Sequence, residues 1–169
     1  MKHKALVSIA LCTYNGEAYL REQLDSIVNQ SYPEIELIAV DDCSSDNTLS
    51  ILKEYSAKYP FIKIFENPKN LGYIRNFEKA LQLCSGDFIA LSDQDDIWDL
   101  KKIEKQVKGI GNHLLIYHDS KFVDQNGQSL HRNMSDIMNL YRGDQPEVFL
   151  FFNCISGHSV LMKKELRDE

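Results

Sequence analysis

Phe88-Ile89-Ala90-Leu91-Ser92-Asp93-Gln94-Asp95-Asp96 begins with four apolar residues and ends with three carboxylates in four positions. Ser85-Gly86-Asp87 turns the chain just before it, so the apolar run is bounded as a strand and hands its polar end to a loop. Leu100, Ile103, Val107 and Ile110 then recur at helical spacing. Strand, acidic loop and helix in that order form one unit of an α/β domain.

The same grammar repeats toward the N-terminus. Val7 to Cys12 predicts a strand, and Leu20, Leu24, Ile27 and Val28 a helix that Ser31-Tyr32-Pro33 stops. Ile35 to Val40 is an apolar run ending at Asp41-Asp42, the pattern of a strand buried on both faces. Leu49, Leu52, Tyr55 and Tyr59 mark a second helix, with Ser44, Ser45 or Asp46 available as its cap. Phe61 to Phe65 predicts a third strand, and Ile74, Phe77, Leu81 and Cys84 a third helix. Such alternation implies an α/β fold with a mostly parallel central sheet, flanking helices and right-handed crossovers.

Beyond Gly111 the rhythm breaks. Leu114 to Tyr117 predicts another strand, and Asp124-Gln125-Asn126-Gly127 a turn that closes a hairpin. Residues 131–146 are polar and read as a loop. Val148 to Phe152 suggests a helix, Ser159 to Met162 a strand, and Lys163 to Glu169 the opening of another helix.

Composition narrows the function. Hydrophobic residues make up 43% and charged residues 26%, the mixture of a globular protein. The formal net charge is −6, without a Lys/Arg cluster, which excludes nucleic-acid binding through a basic face. No stretch has the length of a membrane span. Met1-Lys2-His3-Lys4 before an apolar run resembles a signal peptide only superficially, since the run passes straight into Thr13-Tyr14-Asn15-Gly16. Cys12, Cys43, Cys84 and Cys154 are scattered, which points to a reduced, cytoplasmic compartment.

Three polar clusters fall at predicted strand ends: Thr13-Tyr14-Asn15, Asp41-Asp42 and Asp93-Gln94-Asp95-Asp96. Ligands of open α/β sheets bind beyond those carboxyl ends. One such cluster alone could be turn chemistry, but three converge here. At ~6 Å and an effective dielectric of ~20, each like-charge pair in the third cluster costs about 3 kcal/mol. A cation should offset that repulsion. Carboxylate oxygens without His or Cys in the cluster favour Mg²⁺ or Mn²⁺ shared with phosphates.

These residues carry a resemblance. Val7 to Asn15, then Val40-Asp41-Asp42-Cys43-Ser44-Ser45-Asp46-Asn47-Thr48, resemble the opening of family 2 glycosyltransferases. Asn70-Leu71-Gly72-Tyr73-Ile74-Arg75-Asn76 is similar to their Asn-x-Gly-x-x-x-Asn segment, and Asp93-Gln94-Asp95 to their Asp-x-Asp metal motif. Ser92 to Trp98 resembles the rhamnosyltransferase-like subgroup.

The resemblance implies a Rossmann-like GT-A fold that binds a nucleotide-diphosphate sugar, UDP- or dTDP-linked. Residues 1–110 would form its nucleotide-sugar-binding half, and 111–169 the start of an acceptor-binding half, truncated at the C-terminus. Thr13, Tyr14 and Asn15 would meet the donor, with Tyr14 stacking near the base, and Asp42 would accept from base or ribose. Arg75 would approach the diphosphate or order Asp42. Asp95 would hold Mn²⁺ or Mg²⁺, and Asp93 would contact ribose or metal-bound water. Asp96 is either a ligand or a helix cap, and Trp98 packs below the loop.

The implied reaction is inverting transfer to a glycan or lipid-linked acceptor in surface polysaccharide synthesis, at or near the inner face of the membrane. Ile155-Ser156-Gly157-His158-Ser159 resembles the family's acceptor stretch. Its catalytic base would lie beyond Glu169; Asp124, Asp136 and Asp168 are candidates by residue type alone. Two rivals stand beside this reading: a nucleotide-sugar-binding module without transfer activity, and a Mg²⁺-dependent phosphotransfer enzyme. The second needs Asp-x-Asp after the first strand, whereas here it follows the fourth.

Overall fold

A computed structural model describes residues 4–168 apart from 126, 146 and 152. Four strands run parallel: β1 (Val7–Thr13), β2 (Ile35–Asp41), β3 (Ile62–Glu66) and β4 (Phe88–Ser92). Their spatial order is β3-β2-β1-β4, and two later strands widen the sheet. β8 (Val160–Lys163) lies antiparallel beside β4, and β5 (Leu115–Tyr117) pairs antiparallel with β8. The mostly parallel α/β architecture expected from the alternation is the one observed.

Side-chain alternation along β1 sorts the helices between the two faces. Val7, Ile9 and Leu11 face the cluster built with α1 (Leu20–Val28), α2 (Thr48–Lys58) and α4 (Lys102–Ile110). Ala10, with Ile38 and Val40 of β2, faces α3 (Tyr73–Leu83) through Ala80. The change of face follows from the path. The chain steps outward from β1 to β2 to β3, then reverses to reach β4, so one crossover hand puts α3 on the opposite side.

Several expectations need correction. Ile74 is 78% exposed, and α3 buries Asn76 and Ala80 instead, because Asn76 bonds to the end of β2. Leu100 is exposed and lies ahead of α4, whose buried positions are Lys102, Ile103, Gln106 and Ile110. Asn47, not Ser44, Ser45 or Asp46, occupies the N-cap of α2, while the Asp46 carboxylate accepts from the Thr48 N–H at 3.0 Å. Residues 131–133 are strand rather than loop. They end β7 (Ser129–Asn133), which pairs with β6 (Lys121–Val123) in the expected hairpin before a 3₁₀ turn at Met134–Asp136. The hairpin turn has Gly127 at φ 72° with its N–H on Asp124 O; Asn126 lies outside the described residues. α5 covers Val148–Phe151, with Phe152 outside the described residues, and α6 covers Lys164–Asp168.

A buried carboxylate locks the amino end of the sheet. Glu36 on β2 sits in register with Ser8 on β1. Its Oε1 accepts from Ser8 Oγ (2.6 Å), Ser85 Oγ (2.6 Å) and Ser85 N (2.8 Å), and its Oε2 accepts from Lys63 Nζ (2.8 Å). Gly86 closes this corner, since a Cβ there would lie 2.7 Å from Leu6 O. Burial alone would raise the Glu36 carboxyl, but Lys63, Ser8 and Ser85 outweigh it and hold the group at about 2, below its ordinary 4.5.

A carboxyl lowered on folding stabilises the fold above its unfolded value and loses that contribution as pH falls through its folded one. Glu36→Gln should therefore cost about 2 kcal/mol near neutrality. In denaturant titrations the gap from the unsubstituted chain should close as pH drops from about 4.5 toward 2. A gap independent of pH would assign the cost to packing.

Candidate functional site

The strand order reverses between β1 and β4. After β1 the chain departs toward β2, and after β4 toward α4, so a crevice opens beyond their carboxyl ends. An open cleft of about 570 Å³ lies there. Cys12, Thr13 and Tyr14 line it from β1, Asp42 from β2, and Asp93, Gln94 and Asp95 from β4. Asn70, Gly72, Tyr73, Asn76 and Phe77 complete it from the start of α3.

The aspartates ending β2 divide two tasks. Asp41 Oδ1 accepts from Thr13 Oγ1 (2.9 Å) and Ser44 Oγ (2.6 Å), tying the ends of β1 and β2 together. Asp42 turns the other way: Oδ1 accepts from Leu71 N (2.8 Å) and Asn67 Nδ2 (2.7 Å), and Oδ2 from Gly72 N (2.9 Å). Gly72 can offer its N–H there because it adopts φ 83°, ψ 161°, a conformation essentially confined to glycine. Asn76 Oδ1 accepts from Asn67 Nδ2 (2.8 Å), and Asn76 Nδ2 donates to Val40 O (3.0 Å). The Asn-x-Gly-x-x-x-Asn segment thus seats α3 against the end of β2.

Gln94 bridges the crevice. Its Oε1 accepts from Tyr14 N (2.8 Å) and its Nε2 donates to Tyr14 O (3.1 Å). The amide lies so close to Gly16 that a Cβ there would stand 2.3 Å from Oε1. Asn15, at φ 48°, accepts from Ser45 N (2.9 Å) and so links this loop to the segment before α2. Tyr14 itself is 49% exposed at the cleft.

The acidic loop runs deeper than its sequence suggests. Asp93, Asp96 and His158 bring ligand atoms within 4.8 Å of one another. His158 Nδ1 lies 3.9 Å from Asp96 Oδ2, which is buried without a hydrogen-bond partner. Burial, more than the neighbouring carboxylates, raises both the Asp93 and Asp96 carboxyls, while His158 and Lys102 oppose the rise. Beneath them Lys102 is buried, with Nζ donating to His158 O (2.6 Å) and standing 3.3 Å from the centroid of the Trp98 ring. Burial lowers Lys102 to about 7 against the pull of Asp96 and Asp93. An orphaned carboxylate oxygen amid several carboxylates is the donor set a divalent cation would satisfy.

The model of glycosyl transferase family 2 matches residues 8–168. The chain belongs to that family. It is 33% identical to an uncharacterized glycosyltransferase of Haemophilus influenzae, over all of this chain and 55% of that one. It is 37% identical to TuaG of Bacillus subtilis, provisionally assigned to teichuronic acid biosynthesis, over 62% of this chain and 42% of that one. S. aureus TarS, solved with UDP-GlcNAc, matches with a TM-score of 0.66 at 31% identity, over 70% of this chain and 35% of that one. The chain spans about half the length of the curated relatives it matches. The fold is the GT-A-like α/β fold of these glycosyltransferases, and family membership removes the phosphotransfer reading.

Of the residues that the family resemblance nominates, the fold brings Thr13, Tyr14, Asp42, Asp93 and Asp95 to one cleft. Asn15 and Arg75 do not line it: Asn15 braces the loop, and Arg75 stands exposed on the first turn of α3. Asp42 is ordered by backbone amides and Asn67, not by Arg75. Asp96 does not cap a helix, because α4 begins only at Lys102 and Asp96 faces His158. Trp98 is buried in the core, as a packing residue should be. Among the residues considered as bases by type, Asp124 accepts from Gln128 N, Asp136 from Asn133 N, and Asp168 pairs with Arg167.

Sequence reasoning missed the roles of Gln94 and Lys102, and it named His158 only within the acceptor stretch, not beside the acidic loop. Gln94 is neutral between acids, Lys102 sits within a helical pattern, and His158 arrives from 62 positions beyond Asp96.

Asp42→Asn should destabilise the chain by about 1–3 kcal/mol, because the amide leaves one of the three donors unmatched. Hydrogen exchange at Leu71 and Gly72 should quicken more than at β1. Unchanged exchange at both amides would show that Asp42 does not hold the segment.

Proposed function

We propose that this chain is the donor-binding part of an inverting, metal-dependent glycosyltransferase. It would move a sugar from a UDP- or dTDP-linked donor to a hydroxyl of a glycan or lipid-linked acceptor in surface polysaccharide synthesis. The observation that carries this reading is the convergence of Asp93 and Asp95 with Tyr14 and Asp42 at the crevice between β1 and β4. The UDP-GlcNAc complex of TarS and the provisional assignment of TuaG support the donor class and the polysaccharide setting.

Within this reading Tyr14 stacks on the base, and Thr13 and Asn15 shape the loop that receives the nucleotide. Asp42 holds the 70–72 segment and turns its remaining acceptor capacity toward base or ribose. Asp93 and Asp95 would hold Mn²⁺ or Mg²⁺, and Arg75, outside the cleft lining, would meet the diphosphate only where the donor extends to the exposed first turn of α3. When bound, the cation supplies positive charge against the diphosphate in a chain whose net charge is −6. Residues 1–110 serve the donor, and 111–169 begin the acceptor side. The Ser92–Trp98 string supports a rhamnosyltransferase-like member of the family. No helix among the described residues is long and apolar enough to cross a membrane. The full-length protein would associate peripherally with the inner face of the membrane.

A thermal-shift comparison with and without Mn²⁺ tests this reading. UDP or dTDP at about 100 times its dissociation constant should add about 2.7 kcal/mol, but only with the metal present. Equal shifts in chelator would end the metal claim. Asp95→Asn should remove the metal-dependent shift without lowering the melting temperature of the free chain, since Asp95 is exposed and its neutralisation relieves repulsion. A variant that unfolds would make Asp95 structural.

A further inference from the structure

His158 is held from three directions. Lys102 Nζ donates to its carbonyl at 2.6 Å, and Gln106 Nε2, one turn further along α4, donates to the Ser159 carbonyl at 2.8 Å. Both donors are buried, so the 3₁₀ turn Gly157–Ser159 is fastened to the helix that follows the acidic loop. On the third side, Ser120 Oγ lies 2.8 Å from His158 Nε2. With that ring nitrogen occupied, the lone pair left to a cation is on Nδ1, which faces Asp96.

We propose that His158 is a nitrogen ligand of the cation at the acidic loop, binding through Nδ1 beside Asp93 and Asp96, and that Ser120 is the positioning residue that fixes its ring. The inference rests on the metal-dependent reading above and adds two ligands to its Asp93 and Asp95: Asp96 from the same loop and His158 from a distant segment. Atoms that share one hard divalent cation at about 2.1 Å lie at most ~4.2 Å apart. The Asp93, Asp96 and His158 ligand atoms already lie within 4.8 Å of one another, so closing on a cation takes a contraction of at most about 0.6 Å.

Asp96 Oδ2, buried without a hydrogen-bond partner, has a role on this arrangement. A ligating histidine ordinarily gives its other ring N–H to a fixed partner, and the Ser120 hydroxyl stands where that partner belongs. The consequence is a preference. Oxygen-only sites serve Mg²⁺ and Mn²⁺ alike, whereas one imidazole tips the set toward the transition ion.

The test uses Mn²⁺ and Mg²⁺ as probes in the presence of UDP. Mn²⁺ bound to the unsubstituted chain should show imidazole ¹⁴N modulation in pulsed electron paramagnetic resonance, and this should vanish in His158→Gln. Mn²⁺ affinity should fall about tenfold in Ser120→Ala and return in Ser120→Thr, with the melting temperature of the free chain unchanged. The preference for Mn²⁺ over Mg²⁺ should shrink in His158→Gln. Mn²⁺ that binds without ¹⁴N modulation, or with equal affinity in Ser120→Ala and His158→Gln, overturns this inference alone. Failure of the unsubstituted chain to bind Mn²⁺ with either UDP or dTDP overturns it together with the metal-dependent reading.

Discussion

Two parallel neighbours, β1 and β4, end side by side and send their chains to different parts of the sheet. Neither loop can continue the ladder, so each must find other partners for its backbone groups. The Gln94 side chain supplies them, giving one acceptor and one donor to Tyr14 just as an adjacent strand would. It replaces the missing rung without filling the crevice. The loop after β1 therefore stays open above the cleft, and Gly16 is needed because the amide occupies the space of a side chain.

The same economy of hydrogen bonds governs charge. Asp41 and Asp42 are buried, but each is surrounded by hydroxyl and backbone donors, so neither needs a cation. Among the described residues no hydroxyl or backbone donor meets the Asp93 or Asp96 carboxylate, and burial raises both. What stands against them is the Lys102 amine over the Trp98 ring, itself lowered by burial, and the imidazole of His158. The first pair is largely committed to holding the fold, with some acceptor capacity left on Asp42, while the second keeps most of its capacity free. Sequence alone presents them as equals. The hydrogen-bond inventory separates them.

How much was legible follows from the range of the interactions. The parallel half was readable because each strand and helix announces itself within about ten residues, and polar clusters at strand ends mark the binding edge. Ile74 misled because a helix start can spend its apolar residues on an open surface when an asparagine provides the anchor. The boundary of β7 was missed because Ser129–Asn133 is polar, and only its pairing with β6 makes it a strand. Metal-ligand spacing drew attention to neighbouring carboxylates and away from His158, since a ligand that comes from another strand has no spacing to recognise.

That last failure has a topological cause. β8 inserts antiparallel between β4 and β5, so its amino end lies at the same edge of the sheet as the carboxyl end of β4. Whatever immediately precedes an antiparallel strand in that place arrives beside the loop that leaves β4. The Gly157–Ser159 turn occupies the position, and α4 grips it through Lys102 and Gln106. A fifth parallel strand would have put its amino-terminal approach at the opposite edge, beside Glu36. The reversal of direction at β8 is thus what brings His158, from beyond residue 111, beside the acidic loop that leaves β4.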